Sequence, residues 1–149
     1  MTLEALLKRD GILTYKTQGS SMEPMLKAGG SLVTIRKKHP GERFHENDVV
    51  LYRAPGGQHY ILHRIVSVGE HDYVMLGDNC IHYEYGIRDD DIHGLMVSFH
   101  RDGKTVRADD GDYLRYVLHT RKNEKKRIAR RRALLWGKSA VKKLFFRDR

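Results

Sequence analysis

A chain of 149 residues, 40% of them apolar, has the length for one domain with one small core. Its formal net charge of +9 is concentrated: residues 120–149 hold 13 Lys/Arg against 2 Asp/Glu, and the rest holds 15 against 17. The charge therefore bears on what the C-terminal segment touches and not on the fold. A single cysteine, Cys80, excludes an intrachain disulfide and a cysteine-rich metal site, and fits a reducing compartment. No apolar run has the length of a signal-peptide core or a transmembrane helix.

Residues 2–9 read as one or two helical turns, with Leu3, Leu6 and Leu7 on one face and Gly11 as the stop. The period then changes to two. Ile12–Thr17, Ser31–Arg36, Asp48–Arg53, Tyr60–Val68, Tyr73–Leu76 and Leu95–His100 are short, rich in Val, Ile and Tyr, and bounded by turn residues. Arg101-Asp102-Gly103-Lys104 reads as a hairpin turn joining Met96–His100 to Thr105–Arg107. Strands so closely spaced leave no room for βαβ units, so a mostly β, antiparallel and partly closed fold is expected. After Asp109-Asp110-Gly111 the period becomes helical, with Asp112 as a cap and Gly137 as a weak point further on. The expected organisation is a β domain over 1–110 and a basic, helical tail over 111–149.

Three stretches are candidates for chemistry, and each has a structural alternative. Gly19-Ser20-Ser21-Met22-Glu23-Pro24 is either a turn or the seat of a nucleophile. Six of the nine histidines (His39, His45, His59, His71, His82, His119) lie in polar, turn-like surroundings. His63 is different: it sits in Tyr60–Val66, and alternation places Ile61, His63 and Ile65 on one face, with Leu62, Arg64 and Val66 on the other. Such a histidine is either a satisfied core residue or a site group. Gly77-Asp78-Asn79 follows a strand and forms either a tight turn or a third site element, with Asp78 orienting the His63 imidazole.

These pieces occur in order, and together they resemble the signal peptidase I family and the related serine peptidases that include the self-cleaving repressors. The resemblance runs from Ile12 to Val97. It is carried by G-S-S-M-E-P, the strand Asp48-Val49-Val50, His63-Arg64-Ile65-Val66, Gly77-Asp78-Asn79 and Asp90-Asp91-Ile92-His93-Gly94. It implies a signal-peptidase-like β fold and a serine endopeptidase that cleaves a precursor or leader peptide. Ser21 is then the nucleophile, His63 the general base and Asp78 its support, with Asp89–Asp91 folding back as the alternative support. Gly19, Ser20 and Met22 flank the substrate and oxyanion site, with the Ser21 backbone N–H as its donor. No cofactor or metal is implied. His63 stands where many relatives have lysine, and an ordinary histidine is already largely neutral near pH 7. The other reading of the chain is a catalytically silent binding module or regulator working through its basic tail.

In that tail, Lys125-Lys126-Arg127 and Arg130-Arg131-Arg132 precede Leu134, Leu135, Trp136, Val141, Leu144, Phe145 and Phe146. The mixture suits a segment lying on an anionic membrane surface, with nucleic-acid contact and a merely solvated tail as rivals. A peptide or protein substrate and a cytoplasmic location, peripheral on the inner membrane face, complete the expectation.

Overall fold

The computed structural model describes residues 2–145, the side chains of 144 and 145 excepted. Its elements are α1 (Leu3–Asp10), β1 (Ile12–Lys16), β2 (Leu32–Lys37), β3 (Val49–Arg53), β4 (Tyr60–Val68), β5 (Tyr73–Leu76), β6 (Glu84–Ile87), a 3-10 turn (Asp89–Asp91), β7 (Ile92–Arg101), β8 (Lys104–Arg107) and α2 (Gly111–Phe145). Thr2 caps α1 through its hydroxyl, and Gly11 ends it at φ 74°, a left-handed conformation that costs glycine least. The six expected strands are present, and so is the hairpin around Asp102-Gly103. β6 is an addition: its Glu-Tyr-Gly-Ile sequence is polar, with Gly86 at a positive φ, and lacks the β-branched pattern that marks the others.

All pairings are antiparallel, in the order β1-β2-β7-β3-β4-β5-β6, with β8 also on β7. The fold is thus mostly β, with a sheet left open between β1 and β6 and a C-terminal helix. β7 takes β2 along one edge, while β3 and β8 share the other, which splits the sheet there. β3 is buried on both faces. Val49 and Leu51 enter one apolar cluster with Leu7, Met22, Leu26, Ile35 and Met96, and Val50 and Tyr52 enter another with Phe44, Ile65, Tyr73 and Met75.

α2 is more than an appendage. Tyr113 and Val117 lie in the first core cluster, and Ile128 closes a third with Val66 and Leu76. The boundary at 110/111 marks a change from strand to helix, and the core runs across it. Asp112 lies inside the first turn and pairs with Arg115, so it is not the expected cap. Helix continues through Gly137. Beyond Arg132 the side chains leave the body: Leu134, Leu135, Trp136 and Val141 are all exposed, Trp136 at 78%. Phe146 lies outside the described residues.

Candidate active site

β4 and the segment after β1 carry the two central residues. His63 sits opposite Val50 of β3, between Ile61 and Ile65 on one face, as alternation requires. Ser21 lies in the turn-rich stretch between β1 and β2, half-buried, above the buried Met22. It lines a groove of about 590 Å³ between Tyr15–Gly19 on one side and Tyr60–Leu62 on the other. Both walls are unpaired strand edges. β1 pairs only with β2, and β5 pairs with β4 only from Arg64 onward. A Cβ at Gly19 would meet nothing within 4 Å, so no neighbour in the chain requires glycine there. Ser20 is exposed.

Gly77-Asp78-Asn79 builds the seat of Ser21. The Asn79 backbone N–H donates to the Ser21 carbonyl at 2.8 Å, and its side-chain amide donates to the Ser20 carbonyl at 3.1 Å. Gly77 has to be small: a Cβ would come within 2.6 Å of the Ser21 carbonyl oxygen and the Cys80 sulfur, and 2.9 Å from His63 Nε2. α2 holds this loop from outside. Arg131 donates to the Asn79 carbonyl and side-chain oxygen at 2.5 Å, Arg127 to the Cys80 carbonyl at 2.7 Å, and Arg132 to that of Ile81 at 2.9 Å.

Asp78 does not support His63. Its carboxylate is buried in a two-pronged pair with Arg64, at 2.8 and 2.7 Å, and accepts a third bond from the Tyr116 hydroxyl at 2.9 Å. The reason is the alternation of β4: His63 and Arg64 point to opposite faces, and Asp78 lies on the arginine's side. Arg64 also reaches the Asn47 carbonyl, the Tyr113 hydroxyl and, at 3.6 Å, the Met25 sulfur, so all five of its N–H donors are engaged. Asp89–Asp91 does not fold back to His63 either. Asp89 accepts from Tyr73 and Arg43, and Asp91 accepts from the Arg88 backbone N–H.

The carboxylate facing His63 is Glu84, the first residue of β6, at 2.6 Å from Nδ1. The Tyr52 hydroxyl stands 3.2 Å from the same nitrogen. Sequence reasoning missed Glu84 because β6 has no clear strand pattern; its register, opposite Met75 of β5, carries Glu84 toward β4. Burial works against a charged imidazole, but the Glu84 carboxylate at Nδ1 and the neighbouring Cys80 sulfur outweigh it and push the His63 pKa up to about 9. The charged ring is thus favoured to higher pH than in an unperturbed histidine. Glu84 is held below its ordinary value, with burial opposing and the His63 and Tyr52 bonds prevailing. Among the described residues no hydrogen bond joins the Ser21 hydroxyl to His63, and neither that hydroxyl nor the Ser21 backbone N–H has a partner.

Among the described residues no helix is long and apolar enough to cross a membrane. Compared with known proteins, the chain matches no family model, and no curated protein matches it significantly.

Proposed function

We propose that the protein is a serine endopeptidase of the signal-peptidase-like kind, acting on an extended peptide laid in the groove beside Ser21. The observation that carries this reading is the convergence around Gly77 of the Ser21 segment with His63 Nε2, while Glu84 engages Nδ1. Such an arrangement supplies a hydroxyl, a base and an orienting carboxylate. The unpaired edges of β1 and β4 offer backbone groups to a strand placed between them. Ser21 Oγ attacks the scissile carbonyl, and its proton passes to neutral His63 Nε2. The Ser21 backbone N–H faces the oxyanion. The leaving amine takes the proton from Nε2, and water then hydrolyses the acyl ester by the reverse relay. In resting structures such serine–histidine bonds often form only with substrate in place, so a Ser21 hydroxyl not yet bonded to His63 fits this sequence of events.

A fluorophosphonate probe tests the reading. Labelling is expected in the wild type and in Ser20→Ala, and lost in Ser21→Ala and His63→Ala. It should rise with pH to a midpoint near 9, because only the neutral ring can accept the serine proton. Folded protein that never labels at any pH would leave a binding module in its place.

We further read the outer half of α2 as a surface for anionic lipid. No acidic residue occurs from 125 to 147, and exposed Lys125, Lys126 and Arg130 lead into exposed Leu134, Trp136 and Val141. Co-sedimentation with phosphatidylglycerol vesicles, weakened by salt and by Trp136→Ala, is the expected result. Binding to RNA but not to vesicles would reassign the helix to nucleic acid.

A further inference from the structure

The chain's one cysteine lies beside the nitrogen on which the proposed reaction depends. Nδ1 of His63 is engaged by Glu84 and Tyr52, so only Nε2 can take a proton from Ser21. His63 is 8% exposed, which leaves water little access to that nitrogen. A Cβ on Gly77 would lie 2.6 Å from the Cys80 sulfur and 2.9 Å from Nε2, so both atoms border one point, together with the Ser21 carbonyl oxygen. The sulfur stands 3.9 Å from that oxygen. Backbone bonds fix Cys80 on both sides: its N–H donates to the Gly77 carbonyl at 2.8 Å, and its own carbonyl accepts from Arg127 at 2.7 Å.

We propose that Cys80 is a positioning residue for His63: its sulfur accepts the Nε2–H and holds the ring in its protonated form, unbonded to the Ser21 hydroxyl, until substrate displaces the contact. The proposal rests on the reading of Ser21 and His63 as nucleophile and base. The groups facing the ring are Glu84 from β6, Tyr52 from β3 and Cys80 from the β5–β6 loop; Asp78, in the same loop, is turned to Arg64. With the Glu84 carboxylate at Nδ1 the ring favours its charged state, and a soft acceptor at Nε2 adds to that preference. A signal of this kind is absent from the sequence pattern, because Cys80 and His63 are 17 residues apart and meet only through the loop that Gly77 turns. The alternative is that the sulfur merely fills space beside Val66, Leu76 and Ile128, where Cys80 also packs.

A histidine-selective NMR titration of the full chain separates the two. The wild type, Cys80→Ala and Cys80→Ser are compared, with His63→Ala to assign the resonance and probe labelling measured on the same samples. Removing the acceptor should move the His63 midpoint to lower pH by a unit or more in Cys80→Ala, and less in Cys80→Ser. Labelling of Ser21 at pH 7 should rise about tenfold in Cys80→Ala, a gain that shrinks toward pH 10. Cys80→Ser keeps the size of the side chain, so the test stands if the alanine variant fails to fold. A His63 midpoint unmoved in a folded variant overturns the proposal and leaves Cys80 as packing. A midpoint that moves while no variant ever labels overturns the peptidase reading, and the positioning role with it.

Discussion

Asp78→Ala is expected to lower the free energy of unfolding by about 3–5 kcal/mol, because it strands a buried guanidinium without its counter-charge. Arg64 has 1% of its side chain exposed, and Asp78 2%. The Asn47 carbonyl and the Tyr113 hydroxyl would remain as partners, but neither is charged. The Tyr116 hydroxyl loses its acceptor as well, so α2 loosens from the sheet. A domain of ordinary stability holds only about 5–15 kcal/mol in total, and this one change consumes a large part of it. Urea unfolding followed by circular dichroism measures the effect, with Ser21→Ala as a control expected to remain near wild type. Replacing Arg64 and Asp78 together by Met and Leu should cost less than Asp78→Ala alone, since no unpaired charge remains. Near-wild-type stability in Asp78→Ala, with the pH profile of labelling displaced, would return Asp78 to the service of His63.

Glu84→Gln should act on the chemistry instead. Without the carboxylate at Nδ1, burial is opposed only by Cys80, and the labelling midpoint falls from about 9 toward the ordinary histidine value of 6.5 or below. More of the base is then neutral at pH 7, but its ring is no longer held by a carboxylate, and the plateau rate is expected to fall about 10²–10⁴-fold. The pH dependence of stability carries the same signature. His63 binds its proton more tightly folded than unfolded, so its contribution is fully present below pH 6.5 and lost as pH rises through about 9. Glu84, lowered from 4.5, contributes above that value and loses its contribution as pH falls through its folded pKa. Wild-type melting temperature should therefore decline between pH 6.5 and 10, and that decline should flatten in Glu84→Gln. Differential scanning calorimetry across this range decides it. A decline equally steep in both proteins would mean that Glu84 does not govern the ring.

Much of the molecule follows from local pattern. Period-two stretches bounded by Gly, Pro and Asp set the six readable strands, because a half-buried pleated strand needs that alternation whatever its neighbours are. The same alternation put His63 and Arg64 on opposite faces, and Asp102-Gly103 placed the β7–β8 hairpin. β6 was not legible, since Glu84-Tyr85-Gly86 is held by pairing with β5 and not by its own propensity. Which carboxylate meets which of the two β4 side chains was also beyond the sequence. Asp78, in the β5–β6 loop, and Glu84, where β6 begins, are six residues apart, and only the path of that loop beside β4 sends the first to Arg64 and the second to His63. The role of α2 was likewise decided in three dimensions. Its basic run reads as a segment for an anionic membrane surface, yet Arg127, Arg131 and Arg132 spend their donors on the carbonyls of residues 79–81, which a loop outside any ladder leaves unsatisfied. Periodicity determines the face on which a side chain lies; which groups meet across that face depends on register, bulges and loop path, and those belong to the tertiary structure.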